Sequence, residues 1–395
     1  MRYFSYLSKD EEMSLFYKSP TSFSQASSRE TLSYAVGAAL YSPATRQTIA
    51  EDILRQKHQG LVSMVFDLED AIGDHQVEWA EETLLQQLFK LASYREIGLL
   101  EEERVPLLFI RVRSPEQLQR LIGRLEDRVT MITGFFFPKF SPQDGEAYYE
   151  ILDAYNRHKA QAAPTLYGSP ILESAEVIYA ERRQEALTAC KAILDRYRDC
   201  VLGVRIGATD FSSLFGLRRS VEHTVYDLLV IRDCIADVLN VFGRVEQGYV
   251  VSGPVWEYFS GAEEGGGQAD ERLVRTAERY GLHLTTRAEY GLLREVLLDK
   301  ENGIIGKTVI HPSHIKIVQA LHTVTHEEYK DAIALLEQEA GPGGVMRSEY
   351  ANKMNEIKPH LNWAKRTVAK ANIYGVLHEH ENRYAQMSRH GQAYV

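Results

Sequence analysis

From about residue 33, short apolar runs alternate with longer amphipathic stretches along this chain. The runs predict strands at 34–41, 61–66, 106–112, 132–138, 163–168, 201–206, 248–252 and 305–310. The stretches carry apolar residues three and four positions apart and predict helices at 44–58, 76–97, 114–127, 143–160, 175–199, 222–243 and 270–281. Strands that are apolar on both faces and are separated by helices are typical of a parallel sheet covered by helices.

Eight such strands predict an α/β fold, a (β/α)₈ TIM barrel over residues 33–322, because that fold has a usual size of about 250 residues. An open, doubly wound sheet is the alternative. No predicted strand is followed by GxGxxG or GxxxxGK[ST], so the sequence disfavours the nucleotide-binding forms of that sheet. The glycine-rich segment at 261–270 follows no strand-to-helix turn, and we expect a flexible excursion there.

The chain extends beyond this alternation at both ends. Residues 1–32 form an N-terminal extension, and residues 323–395 form a helical C-terminal extension. The latter contains a predicted helix at 326–339, a GPGG joint at 341–344, and a helical tail that Pro359 is expected to interrupt. We expect this extension either to cap the barrel mouth or to serve as an oligomerisation arm.

Composition narrows the class of protein. The 395 residues, 44% of them hydrophobic, suffice for a large core, and a formal charge of −10 disfavours a nucleic-acid surface. No stretch is apolar enough for a leader or a membrane span, so we expect a soluble, cytoplasmic protein without a membrane partner. Three cysteines without metal-binding spacing predict reduced thiols. The pair Arg218/Arg219 is interpreted as a solvated face or a small-anion contact.

Charged residues follow nearly every predicted strand. They are Arg46 after the first strand, Asp67, Glu69 and Asp70 after the second, Arg111 and Arg113 at the third, Lys139 after the fourth, Glu173 after the fifth and Asp210 after the sixth. The carboxyl ends of barrel strands surround one pocket, so these side chains are expected to meet. Concentrated carboxylates repel one another unless a cation neutralises them, and oxygen ligands favour Mg²⁺ or Mn²⁺. Spacing alone leaves open which two acids bind the metal; helix capping is the alternative for Asp70.

Six motifs occur in the order found in one enzyme family. They are FDLEDAI (66–72), IRV (110–112), FPKF (137–140), ILESAEVI (171–178), GVRIGATDFSSLFG (203–216) and GIIGKTVIHPSHI (303–315). Over roughly residues 35–322 the chain thereby resembles the HpcH/HpaI aldolase and citrate lyase β-subunit family. The tail element MNEIKPHLNWA resembles a divergent carbon–carbon bond lyase branch found in bacterial stress and tellurite-resistance gene clusters.

The resemblance implies a TIM barrel that performs metal-assisted cleavage or formation of a carbon–carbon bond, on small keto acids or on acyl-CoA thioesters such as malyl-CoA. It implies Glu173 and Asp210 as the Mg²⁺ ligands, and contact of Arg111 with a substrate carboxylate or enolate oxygen. Asp67, Glu69 and Lys139 are then expected to act in catalysis, with Glu69 or a metal-held water as the general base. Substrate binding is assigned to Arg46, Asp70 and Arg113.

Two departures from the family pattern bear on the substrate. Arg113 replaces an asparagine, and the segment after the DLED element is acidic where the family has a basic position. These departures disfavour malyl-CoA or a citryl thioester and indicate a more anionic ligand, unless Arg113 pairs with a neighbouring acid. Related barrels form trimers or hexamers, so we expect a homo-oligomer. The alternatives are a transferase that condenses rather than cleaves, and a non-catalytic barrel that binds a small acid or a partner protein in a stress response.

Overall fold

The computed structural model describes residues 1–161, 163–259, 270–339 and 344–379. Its strands are β1 (Phe16–Lys18), β2 (Ala38–Pro43), β3 (Ser63–Asp67), β4 (Leu107–Arg111), β5 (Gly134–Phe137), β6 (Tyr167–Leu172), β7 (Val204–Ile206), β8 (Val251–Ser252), β9 (Lys307–Val309), β10 (Val345–Arg347), β11 (Met354–Glu356) and β12 (Val376–Leu377). Strands β2 to β9 form one parallel sheet in the order β8-β7-β6-β5-β4-β3-β2-β9.

The two edges of this sheet meet. A parallel bridge joins Gly253, just after β8, to Lys307 on β9. The Gly253 amide donates to the Gly306 carbonyl at 3.0 Å, and the Thr308 amide donates to the Gly253 carbonyl at 3.2 Å. The predicted (β/α)₈ barrel is therefore confirmed.

Helices lie between successive strands and beyond the barrel at both ends. They are α1 (Lys9–Leu15), α2 (Arg29–Ala35), α3 (Ile49–Leu54), α4 (Val77–Glu96), α5 (Pro115–Leu125), α6 (Gly145–His158), α7 (Ala175–Ile178), α8 (Ala180–Arg196), α9 (Ala208–Leu214), α10 (Leu229–Phe242), α11 (Glu271–Arg279), α12 (Arg287–Glu301), α13 (Ser313–His322), α14 (His326–Glu337) and α15 (Ile357–Tyr374). The sequence pattern did not predict α12.

Strand β3 shows why the strands are apolar on both faces. All five residues of SMVFD are buried. Val65 belongs to the cluster that fills the barrel interior with Phe109 and Phe136, whereas Met64 and Phe66 belong to the cluster between strands and helices. Because alternate residues enter two different cores, the strand has no polar face until it ends in the acids.

The two ends of the chain pack together beneath the barrel. Strand β1 pairs with β12, and helix α15 contacts helix α2. The Tyr374 hydroxyl donates to the Tyr34 carbonyl at 2.7 Å, and the Tyr3 hydroxyl donates to the Ala35 carbonyl at 2.8 Å, just before β2 begins. The described part of the tail thus lies at the amino ends of the strands, and the alternative of a cap across the mouth is wrong for it.

Several element boundaries differ from the prediction. The first barrel strand begins at Ala38 rather than at 34, because the Ser28 side chain accepts the Thr31 amide and starts helix α2, which runs to Ala35. The fifth strand lies at Tyr167–Leu172 rather than at 163–168. Pro359 does not interrupt the tail helix, because it occupies the first turn of α15, where no intrahelical amide donor is lost.

The predictions for 261–269 and for 341–343 lie outside the described residues. Cys190, Cys200 and Cys234 are free and buried. In the described ranges, no helix is both long and apolar enough to cross a membrane.

Candidate active site

A cavity of about 580 Å³ opens at the carboxyl ends of the barrel strands. Its charged lining residues are Asp67, Asp70, Arg111, Glu173, Asp210 and Glu257. They come from the carboxyl ends of five strands, β3, β4, β6, β7 and β8, so the closed barrel is what brings them together.

Arg111 neutralises the acids of the DLED element. Its Nε and Nη2 donate to the two carboxylate oxygens of Asp67 at 2.7 and 2.5 Å. Its Nη1 lies 3.0 Å from Glu69 and 3.1 Å from Asp70. Burial acts to lower the pKa of Arg111, but the bonds to Asp67 raise that pKa above its usual value. The clustered negative charge after β3 is therefore held by one guanidinium with three carboxylate partners.

Lys139 joins the DLED acids to the two candidate metal ligands. Its Nζ donates to Glu69 and lies 3.8 Å from Asp210, while its backbone amide donates to Glu173 at 2.8 Å. The residue has φ +47°, a left-handed conformation that is uncommon outside glycine and is found at functional sites. Although burial acts to lower the pKa of Lys139, the hydrogen bond to Glu69 raises it above the usual value.

Among the described residues, Glu173 is the most deeply buried acid without a cationic partner. It is 3% exposed, and in the described parts of the chain it forms no ion pair. Burial, and then the charge of Asp210, raise the pKa of Glu173 to about 8. Burial also raises the pKa of Asp210, against the attraction of Lys139. The two acids thus need either a proton or a further cation to be stable together.

Gly207 leaves the space that the Glu173 side chain occupies. A Cβ at position 207 would lie 2.6 Å from the Glu173 Cβ and 2.9 Å from its carboxyl carbon. Only glycine therefore allows the end of β6 and the start of α9 to approach this closely.

The donor set fits Mg²⁺ or Mn²⁺. Five acids of the site, Asp67, Glu69, Asp70, Glu173 and Asp210, have between them two cations, Arg111 and Lys139, as ion-pair partners within the described residues. A divalent ion would offset most of this excess negative charge. In the described part of the chain no three His, Cys, Asp or Glu side chains group as metal ligands. Two carboxylates, with water or substrate oxygens in the other positions, are what Mg²⁺ usually has.

Two of the predicted substrate-binding residues lie away from the cavity. Arg46 donates to Asp52 at 2.5 Å, and Arg113 donates to the exposed Asp74 at 2.5 Å. Arg113 thus pairs with a neighbouring acid, which is the alternative that the sequence left open to a role in binding an anionic ligand. Asp70, by contrast, lines the cavity.

Sequence reasoning missed Glu257, which follows β8. Glu257 lines the cavity, accepts from Thr209 at 3.2 Å and binds Arg219 at 2.6 Å. Arg219 is 6% exposed and also pairs with Glu295. The interpretation of Arg219 as a solvated residue is therefore wrong, because these two acids draw it into the protein. The segment has no strand or helix periodicity that would have indicated Glu257.

A second missed residue, Arg205, precedes Gly207 by two positions in the GVRIGATDF motif and points into the barrel interior. Its guanidinium lies over the ring of Phe136, 4.6 Å from the centroid. The alternation of side chains along a strand was the signal that could have identified Arg205 as inward-facing.

One solved structure agrees with this architecture. A citrate lyase from Burkholderia xenovorans LB400 has 14% identity and a TM-score of 0.57, covering 89% of this chain and 96% of that chain. The CitE protein of Mycobacterium tuberculosis, solved with magnesium, acetoacetate and coenzyme A, has 18% identity and a TM-score of 0.49, covering 86% of this chain and 99% of that chain. No curated protein matches the sequence. The family model for C–C bond lyases of the TIM-barrel fold matches residues 30–376. The motif resemblance is thereby confirmed, and the chain belongs to the C–C bond lyase family of the TIM-barrel fold.

Proposed function

We propose that the protein is a Mg²⁺- or Mn²⁺-dependent carbon–carbon lyase or aldolase that acts through a stabilised enolate. Its substrate is a carboxylated small molecule, either a keto or hydroxy acid or a CoA thioester. The observation that carries the proposal is the pair Glu173 and Asp210. These acids lie in the cavity of a C–C bond lyase, where burial raises the pKa of both. Within the described residues Glu173 forms no ion pair, and Asp210 lies 3.8 Å from Lys139.

The chemistry needs a group that stabilises negative charge on oxygen. Breaking the bond between a carbinol carbon and a carbon next to a carbonyl leaves an enolate. A bound Mg²⁺ would supply a Lewis acid for that oxygen and would orient the substrate. Glu173 and Asp210 are the residues that would hold it.

The chain's own residues provide the rest of the site. Asp67 fixes the guanidinium of Arg111 beside the cavity, where it can add positive potential at the developing negative charge. Glu69 is our candidate for the base that accepts the hydroxyl proton. Burial, and then its hydrogen bond with Asp70, raise the pKa of Glu69, which makes it a better base. Lys139 donates a hydrogen bond to Glu69 and would hold the Glu69 carboxylate in place.

The experiment is incubation of the purified protein with Mg²⁺ and a panel of hydroxyacyl-CoA thioesters and keto acids, with mass spectrometry of the products. Glu173→Gln and Asp210→Asn are expected to abolish both Mn²⁺ binding and turnover while the fold persists. The matched control is Glu176→Gln, in the same segment but outside the cavity lining. Turnover by the wild type in excess chelator would refute the metal requirement, and no product from any member of the panel would contradict lyase activity on these substrates.

The direction of the reaction is a separate part of the proposal. Condensation uses the same enolate in reverse, so we test both directions by supplying either the intact substrate or its two fragments. From the motif resemblance we also propose a cytoplasmic homo-oligomer of three or six copies that acts in a bacterial stress response. Light scattering after size exclusion tests the number of copies, and a monomer would contradict it.

A further inference from the structure

Arg205 is a buried arginine for which the described residues provide no acid. It lies on β7, is 2% exposed, and faces the rings of Phe136 and Tyr41. Its one hydrogen bond within the described ranges runs from Nη2 to the Thr308 hydroxyl at 2.8 Å, and its Nε has no partner. Arg111 and Arg219, the other buried arginines near the cavity, have three and two carboxylate partners respectively.

This arrangement is costly for a site with no ligand. A buried charge is destabilising unless it is paired, and a hydroxyl and two aromatic faces offset only part of that cost. Packing alone would be better served by an apolar side chain of the same length. The unpaired guanidinium therefore indicates an anion that is not part of the chain.

Arg205 lies directly behind the cavity floor. Tyr41 and Thr308, both next to its guanidinium, line the cavity. Because the Thr308 hydroxyl accepts a bond from Arg205, its own proton is left to donate to another acceptor. The two residues together present a donor and a positive charge at the floor.

The distance of Arg205 from Glu173 and Asp210, the proposed metal ligands, sets the length of the ligand. Arg205 pairs in register with Ile171, and Glu173 comes two residues later along the same direction. Two residues of strand correspond to about 7 Å, so the floor lies about one layer of side chains below Glu173. Arg111, with three carboxylate partners, has little capacity left for a second substrate carboxylate.

We propose that Arg205 and Thr308 form an anion subsite at the cavity floor, which binds the second carboxylate of a short dicarboxylate substrate. The inference rests on the proposed function, in which the first carboxylate lies beside Glu173 and Asp210. It makes the substrate a diacid of about four to six carbons, because the two layers are about 7 Å apart.

The test compares diacids with monoacids of the same length. Calorimetry would measure binding of succinate, glutarate and adipate, and of butyrate, valerate and hexanoate, with and without Mg²⁺. For at least one length, the wild type is expected to bind the diacid at least tenfold more tightly than the monoacid. Arg205→Met should remove that preference, because it should weaken binding of the diacid about 10- to 100-fold and binding of the monoacid less than threefold. Thr308→Val should weaken binding of the diacid by a smaller factor than Arg205→Met does.

A stability measurement separates this role from a structural one. Because Arg205 is unpaired, Arg205→Met is expected to leave the melting temperature of the ligand-free protein unchanged or higher. The matched control is Arg183→Met, which removes a buried arginine that pairs with Asp237 on the outer helices. This control should lower the melting temperature and keep the diacid preference.

Two outcomes would overturn the inference. One is a wild-type protein with no diacid preference at any length. The other is an Arg205→Met variant that keeps the preference, or that weakens diacids and monoacids equally. A wild-type protein that binds no Mn²⁺ but shows the Arg205-dependent diacid preference would refute the metal-dependent reaction and support the subsite.

Discussion

Replacing Gly207 by alanine is expected to disrupt the metal pair without unfolding the protein. Gly207 has φ −104° and ψ +78°, so alanine there would not need the left-handed backbone that it avoids. The new Cβ would lie 2.6 Å from the Glu173 Cβ, whereas non-bonded carbons rest at about 3.5 Å, so the two must separate by about 0.9 Å. Since the Glu173 Cβ is fixed to the backbone, the whole residue must move and cannot simply change rotamer.

A displacement of this size is large for a metal ligand. Shifts of about 1 Å in catalytic geometry cost about 100-fold, and altered support of a ligand costs about 10- to 100-fold in metal affinity. We therefore expect Gly207→Ala to weaken Mn²⁺ binding about 10- to 100-fold, measured by electron paramagnetic resonance of free Mn²⁺. Circular dichroism and the melting temperature check that the protein stays folded.

The matched control is Gly123→Ala in helix α5, where a Cβ meets nothing within 4 Å. This variant should bind Mn²⁺ normally and be up to about 1 kcal/mol more stable, because alanine favours helix. A folded Gly207→Ala protein with wild-type Mn²⁺ affinity would refute the reasoning.

Three further predictions concern Lys139, His322 and the chain ends. Lys139→Met removes a positive charge 3.8 Å from Asp210, so Mn²⁺ should bind about 3- to 10-fold more tightly in a titration, and weaker binding would contradict this role. Burial lowers the pKa of His322 to about 3, and its Nε2 accepts a hydrogen bond from the Gly306 amide. In the unfolded chain a histidine has a pKa of about 6.5, so below that pH the unfolded state binds a proton that the folded state does not. The free energy of unfolding should therefore be full above pH ~6.5 and fall by about 2 kcal/mol towards pH 5. Urea unfolding at several pH values should show a smaller decrease for His322→Gln, and an equal decrease would exclude His322 as its source. Tyr374→Phe loses the buried bond to the Tyr34 carbonyl and should lower the unfolding free energy by about 1–2 kcal/mol, with unchanged Mn²⁺ binding; an unchanged stability would contradict a role for that bond.

The sequence was sufficient to predict the barrel because its signals are local and repeated. LVSMVF followed by DLED shows the principle. A strand buried on both faces is apolar throughout, and polar residues begin where the strand reaches the pocket. Motif order then indicated the family, and the match over residues 30–376 confirmed it. The positions of Asp67, Arg111, Glu173 and Asp210 in one cavity follow from those two inferences, while their roles stay predictions.

Local patterns were weaker where the contacts are distant in sequence. Whether residues 34 and 35 belong to a strand or a helix depends on the Ser28 cap and on packing against Tyr3 and Tyr374, residues from both chain ends. The periodicity of the tail likewise predicted a helix but not that α15 would lie beneath the barrel.

The tertiary structure alone decided which charged side chains form ion pairs within the protein and which stay available to a ligand. Arg113 and Arg111 are two residues apart, yet one pairs with Asp74 outside the cavity and the other holds three acids of the site. Arg205 is left with Thr308 and two aromatic rings. The sequence determined the strands, their acidic ends and the family, because these depend on neighbouring residues. Pairing of charges depends on distances across a closed barrel, which the order of residues along the chain does not specify.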